Sequence, residues 1–120
     1  MDKNPEIFLG HIVAAIEAIE RYTCDINKND FKFNDEKQNA VIRQFEIIGE
    51  AAKNIPAKFR KSYPDIPWAD IRGMRNKLIH EYFGIDLNSV WKTTKDDLPV
   101  LKKQIAGILE SMNNNQKKLL

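Results

Sequence analysis

Apolar residues return every three or four positions along most of the chain, and no stretch competes with the period of two that a half-buried strand requires. The first run is Phe8, Ile12, Ala15, Ile19 and Tyr22, widened by Ile7, Val13 and Ile16 into the broad stripe of a bundle helix. Asn4 followed by Pro5 supplies a cap and a first-turn proline, so this helix is expected from about Pro5 to Thr23. A second stripe, Val41, Phe45, Ile48, Ala52 and Ile55, starts after Asn34 or Asp35, with Asp35 and Gln38 at capping-box spacing. Pro56 kinks or ends that helix, and a short turn can follow to Lys61. Gly49, Ala51 and Ala52 form a small-residue patch within it, where close approach of another helix would offset the cost of glycine.

Pro67 opens a third helix, with Trp68, Ile71, Met74 and Leu78 as its apolar positions and Gly84 placed to terminate it. Asp86 can cap a fourth, from Leu87 to about Thr94, with Val90 and Trp91 facing inward. Pro99 argues against one unbroken helix from there, so a fresh start capped by Asp96 or Asp97 is expected, carrying Leu98, Leu101, Ile105, Ile108 and Met112. The polar stretch 25–34 reads as a loop whose Phe31 and Phe33 fold back on the core. The expectation is a single all-α domain over residues 1–112, an antiparallel up-and-down helical bundle of four to five helices. Residues 113–120 read as a flexible C-terminal tail.

Charge and cysteine content narrow the chemistry. Nineteen basic against seventeen acidic residues leave a net charge of +2, too mild to mark a nucleic-acid binder by itself, so any anionic ligand must meet a local cluster. Cys24 is the only cysteine, which excludes an intrachain disulfide and a cysteine-based zinc site and suits a reducing compartment. No run approaches the roughly 20 apolar residues of a membrane span, and the first residues lack the pattern of a secretory signal. A cytoplasmic protein with no membrane partner is therefore expected. No glycine-rich phosphate loop and no zinc signature is present, so neither a metal nor a cofactor is expected. Ser62, Ser89 and Ser111 lack the histidine context of a nucleophilic serine.

The densest polar set lies on the third helix and just beyond it, in Arg72-Gly73-Met74-Arg75-Asn76-Lys77-Leu78-Ile79-His80-Glu81-Tyr82-Phe83-Gly84. At about 100° per residue, Arg75 and Tyr82 lie nearly one above the other, as do Asn76 and His80. An imidazole suits proton transfer near neutral pH, and a guanidinium fork matches phosphate oxygens. Asn76 could orient the ring or bind the phosphate. Cleavage at a ribonucleotide suits this set, because the 2′-hydroxyl supplies the nucleophile and the protein need only move protons and stabilise charge. One site would then hold one base and no separate acid, a gap that a two-fold dimer would fill. Two other readings stay open: an exposed helical face with a histidine favoured near a helix C-terminus, and a binding face for another protein. His11, the other histidine, reads as structural or surface.

The segment Arg75-Asn76-Lys77-Leu78-Ile79-His80-Glu81-Tyr82 resembles the Arg-x4-His motif, extended to His-x-Tyr, of the HEPN superfamily, and more narrowly the HepT-like toxins. Ile48 to Pro56 is similar to that family's second-helix signature, Ile66-Pro67-Trp68 to its lead-in, and Phe83 to Asp86 and Asp97-Leu98-Pro99 to further family segments. The resemblance implies a homodimer whose motif helices meet near the two-fold, with Arg75 and His80 catalytic and Asn76, Tyr82 and Arg72 supporting. It implies a metal-independent endoribonuclease toxin of a type VII toxin–antitoxin system, acting on tRNA or mRNA. The implied partner is a MntA-like nucleotidyltransferase antitoxin, which transfers AMP to Tyr82. Within the same resemblance, the alternative is a non-catalytic nucleotide- or protein-binding subunit of a nucleotidyltransferase complex.

Overall fold

The computed structural model describes the backbone of residues 4–79 and 86–118, and the side chains of 4–74 and 86–115. Helix α1 spans Pro5–Thr23, and Asn4 Oδ1 accepts the Glu6 N–H at 3.0 Å, as the Asn-Pro start requires. Helix α3, Asp35–Asn54, is separated from it by a short α2, Lys28–Lys32. The cap of α3 is Asn34, whose Oδ1 accepts the Lys37 N–H at 3.0 Å, so the capping-box spacing of Asp35 and Gln38 is not what starts it. Pro56 ends α3, and α4 follows over Ala57–Ser62. Helix α5 runs Trp68–Ile79; the Trp68 indole N–H donates to the Tyr63 carbonyl at 2.9 Å and locks the turn that feeds it. Helix α6 covers Leu87–Lys92 and α7 covers Leu98–Lys118, joined by a π-helical turn over Thr93–Asp97.

The described residues are mostly helical, with no strand, and form an all-α bundle. Four long rods make it: α1, α3, α5 and the α6–α7 run. Lys37 Nζ donates to the Tyr22 carbonyl at 2.7 Å, tying the start of α3 to the end of α1, so these two are antiparallel. Lys95 Nζ donates to the Thr23 carbonyl at 3.2 Å and Lys102 pairs with Glu20 at 2.8 Å, which sets the α6–α7 run antiparallel to α1. The core between them takes Leu9, Ile12, Ile16 and Ile19 from α1 and Val41, Phe45 and Ile48 from α3. Ile71 of α5 and Leu98 and Ile105 of α7 complete it. Full burial of each such side chain contributes on the order of 1.5–3 kcal/mol, against roughly 0.5–2 kcal/mol for a cap.

Three expectations are corrected. The stretch expected to be a loop contains α2, begun by a capping box in which Asn27 Oδ1 accepts the Asp30 N–H at 2.8 Å and Asp30 accepts the Asn27 N–H at 3.2 Å. Helical geometry then sends residues two apart to opposite sides: Phe31 is buried, while Phe33 is 82% exposed instead of folding back. The second correction concerns Pro99. Neither Asp96 nor Asp97 caps a new helix, because the chain stays helical and widens instead, with the Leu98 N–H bonding the Thr93 carbonyl five residues back. A wide turn just before a proline shifts the carbonyl register that the ring would otherwise strike. Third, α7 continues past Met112 to Lys118. No glycine or proline intervenes, and extending an established helix needs no new nucleus. Cys24, at the end of α1, is exposed. Among the described residues, no helix is long and apolar enough to cross a membrane.

Two outcomes follow from this packing. Phe45→Ala empties a fully buried site shared by several helices and should lower the unfolding free energy by about 3–5 kcal/mol in urea titrations. Ile7→Ala, at a position 54% exposed, should stay within about 0.5 kcal/mol of wild type. At α6, the Ser89 hydroxyl and then the Ser89 N–H hold the Asp86 carboxyl below the usual carboxylate range. Its folded pKa thus lies under the unfolded value, so its stabilising contribution is complete above that value and is lost as pH falls through the folded pKa. Carboxyl NMR titration should show Ser89→Ala raising the Asp86 pKa, and the stability difference between wild type and Asp86→Ala should vanish in strong acid.

Candidate functional site

Helix α5 carries the densest polar set, and its register is fixed by Trp68 and Ile71, both buried in the core. Arg72 is exposed on the adjoining side, with Gly73 and Met74 half-buried. Arg75 and Asn76 are both helical, in the last two turns of α5. By helical geometry position 75 falls between the columns of Trp68 and Ile71, about 20° from the first and about 40° from the second. His80 and Tyr82, like Gly84, lie outside the described residues. The structure therefore places Arg72, Arg75 and Asn76 on one helix, with Asp86 the first described residue after the segment that holds His80 and Tyr82.

Beside α5 runs a groove of about 640 Å³ between that helix and the α6–α7 run. Asp65, Asp70, Asp86 and Asp97 line it, over an apolar floor that includes Met74 and Leu101. Among the described residues the charged side chains of this lining are all carboxylates, which repel a polyanion. Among the described residues no three histidine, cysteine or acidic side chains converge as a metal-binding group. His11 sits elsewhere: it is exposed on α1, edge-on to Phe8 at 6.0 Å between ring centroids, along an open groove of about 440 Å³ against α3. That is the surface role expected of it.

A third concavity, of about 380 Å³, lies where α2 meets α6 and shares Ser89 with the acidic groove. Trp91 forms part of its wall, tilted against the buried Phe31 at 5.4 Å. The Lys95 ammonium sits 4.8 Å from the centre of the Trp91 ring and is held by the Thr23 carbonyl and hydroxyl at 3.2 and 3.4 Å. Reading the sequence missed this cluster, since Thr23 and Lys95 are 72 positions apart and nothing local pairs them.

Comparison with known proteins bears on the whole chain. The "Ribonuclease HepT-like" family model matches residues 12–108. "Probable ribonuclease HepT" of Thermococcus cleftensis is 49% identical over 85% of this chain and 93% of its own length. "Putative RNase TTE0752" of Caldanaerobacter subterraneus subsp. tengcongensis is 41% identical over 90% of this chain and 96% of its own. "Gamma-glutamylcyclotransferase and putative RNase MJ0434" of Methanocaldococcus jannaschii is 47% identical over 97% of this chain, which spans only 52% of that longer relative. No solved structure matches the chain significantly. An all-α bundle whose α5 bears the Arg75-Asn76 start of the Arg-x4-His segment, matched from residue 12 to residue 108, belongs to the HepT-like family of the HEPN superfamily.

Proposed function

We propose that the protein is a metal-independent endoribonuclease, cleaving tRNA or mRNA with Arg75 and His80, and that it is the toxin of a pair with a nucleotidyltransferase antitoxin. The observation that carries this reading is the family match over residues 12–108, which takes in the Arg75-x4-His80 segment whole. In the proposed reaction His80 takes the proton from the ribose 2′-hydroxyl as that oxygen attacks the adjacent phosphorus. The 5′-oxygen of the next nucleotide leaves, giving a 2′,3′-cyclic phosphate. Arg75 balances the charge that grows on the non-bridging oxygens, which a bidentate guanidinium does better than a point charge. Asn76 and Arg72 support the phosphate from the same helix.

A second copy of the chain completes the site. The register of position 75 falls among columns that are buried farther down α5. Arginine is rarely covered unless it is paired, and a two-fold contact along α5 would pair two motif helices and supply a second His80 as the acid for the leaving oxygen. Light scattering should therefore give a dimer at micromolar protein; a strict monomer would remove the composite site.

His80→Ala and Arg75→Ala should each lower RNA cleavage by roughly 10²- to 10³-fold while leaving the helical circular-dichroism spectrum intact. Wild-type cleavage of total tRNA should persist in EDTA and leave cyclic-phosphate ends. No cleavage by the unmodified dimer, with the same variants impaired only in partner binding, would favour a non-catalytic subunit of a nucleotidyltransferase complex instead.

Regulation is proposed to act at Tyr82, which lies two positions beyond His80 and seven beyond Arg75. Transfer of AMP from ATP to its hydroxyl, releasing pyrophosphate, would place an anionic phosphodiester beside the arginine and exclude RNA by charge and by bulk. Intact mass and peptide mapping after co-expression with the antitoxin should place adenylyl groups on Tyr82, and Tyr82→Phe should stay toxic. A neutralised complex with unmodified Tyr82 would leave steric inhibition as the mechanism.

A further inference from the structure

Helix α5 packs on α3 and α7 packs on α1, so the side of the bundle between α5 and the α6–α7 run stays open as the groove of about 640 Å³. The groove is long. Its α6–α7 wall runs from Ser89 to Gln104, fifteen positions of helical chain, or roughly 22 Å at 1.5 Å of rise per residue. At one end the Gln104 amide bridges the two walls, donating to the Asp65 carbonyl at 3.4 Å. The floor reaches the core at Phe45, Leu98 and Leu101, with half-buried Met74 beside them. Val100, 58% exposed in the same lining, carries the apolar surface out to solvent.

Asp65, Asp70, Asp86 and Asp97 are all exposed around this floor, and among the described residues no basic side chain joins them in the lining. Two of them have a local reason to be acidic. Asp86 caps α6, and Asp70 lies in the first turn of α5, where negative charge is favoured. Asp97 has no such reason, since it ends the π-helical turn inside a continuous helical run, and Asp65 sits in the turn before α5. The ion pairs of the described residues are Lys37–Asp25, Arg43–Glu46 and Lys102–Glu20, and none of them draws on the groove.

An occupant must therefore be apolar toward Met74 and Leu101 and cationic at its flanks. RNA has the wrong sign of charge. A second copy lacks the apolar stripe: among the described residues Ile7, Phe33 and Val100 are the large apolar side chains left exposed, and each stands on a different element. An amphipathic helix has both properties, with apolar side chains every three or four positions and lysine or arginine beside them. Asp86 and Asp97 are eleven positions apart, roughly 16 Å along the wall, which is about three turns of such a helix. We propose that this groove docks a basic amphipathic helix of a partner protein. Its apolar stripe lies over Met74, Val100 and Leu101, and its cations meet Asp86 and Asp97 along one wall and Asp65 and Asp70 along the other. Arg72, two positions from Asp70, points about 200° around α5 from it, so the seat and the arginine face are on different sides of the helix. The docking site stands or falls separately from RNA cleavage.

A fluorescein-labelled peptide of leucine and lysine, roughly 15 residues long with its leucines along one helical face, is the probe. Anisotropy titrations of the full chain should show binding that weakens as KCl is raised. A peptide of the same composition, scrambled so that no apolar face forms, should bind at least about fivefold more weakly. Asp70→Asn/Asp97→Asn should weaken binding by about three- to tenfold, and Val100→Lys, which sets a cation on the rim, by at least about threefold. Glu46→Gln/Glu50→Gln removes the same charge from a different groove, between α1 and α3, and should leave affinity unchanged. Asp70, Asp97 and Val100 are exposed, and thermal melts establish that each variant is folded. In methyl-resolved NMR spectra the peptide should shift Met74 and Val100 and leave Ile7 in place. Equal binding of the scrambled peptide, or equal weakening by the Glu46/Glu50 variant, would reduce the effect to general attraction of a polycation and overturn the docking site. Shifts of Met74 and Val100 with protein concentration alone would seat a second copy there and overturn it as well. No binding at the lowest salt would do the same.

Discussion

Burial of Ile12, Ile16 and Ile19 of α1 in one core with Val41, Phe45 and Ile48 of α3 sets the antiparallel pair on which the other elements are placed. These side chains are fully buried, and neither helix could hide its stripe alone. Once the pair exists, α5 has a surface on α3 for Trp68 and Ile71, and α7 has one on α1 for Leu101 and Ile105. The position of Arg72, Arg75 and Asn76 is thus inherited from apolar residues lower on the same helix. No polar contact of their own is needed to put them there.

The opposite requirement holds at the end of α1, where the chain must join three short pieces. Phe31 of α2 is driven inward and meets Trp91 of α6, and Lys95 from the π-helical turn closes over Trp91 to reach the Thr23 carbonyl and hydroxyl. Thr23 is buried, and its hydroxyl also donates to the Ile19 carbonyl at 2.9 Å, so the last turn of α1 finds partners for groups a helix end leaves open. One small cluster therefore fixes the spacing of α1, α2 and α6, and with it the position of Asp86 at the exit of the motif segment.

Charge is divided between the two concavities that meet at Ser89. The acidic groove beside α5 is lined by Asp65, Asp70, Asp86 and Asp97, whereas the neighbouring corner carries Lys28, Lys92 and Lys95. A net charge of +2 conceals this division, because a sum over the chain carries no positions. Field lines from nearby groups of one sign add only when the fold gathers them.

The sequence by itself determined the rods and their inward faces. Helical periodicity, Asn4-Pro5, Asn34, Pro56 and Asp86 mark where the long elements begin and end, and most positions with apolar spacing became core, although Ile7 stayed exposed and Leu9, outside the expected stripe, was buried. Those signals are local, operating within one or two turns, which is why they survive in a linear reading. The Arg-x4-His segment was legible for the same reason, through residue order alone. Tertiary structure decided the rest. It turned Phe33 outward while Phe31 went in against Trp91 of α6, a contact between residues 60 positions apart that no local signal pairs. It kept the chain helical through Pro99, because a wider turn fits the proline and lets Leu98 and Leu101 stay in the core. It also joined Lys95 to Thr23 and divided the charges at Ser89, since contacts between residues far apart in the chain exist only once the helices have packed.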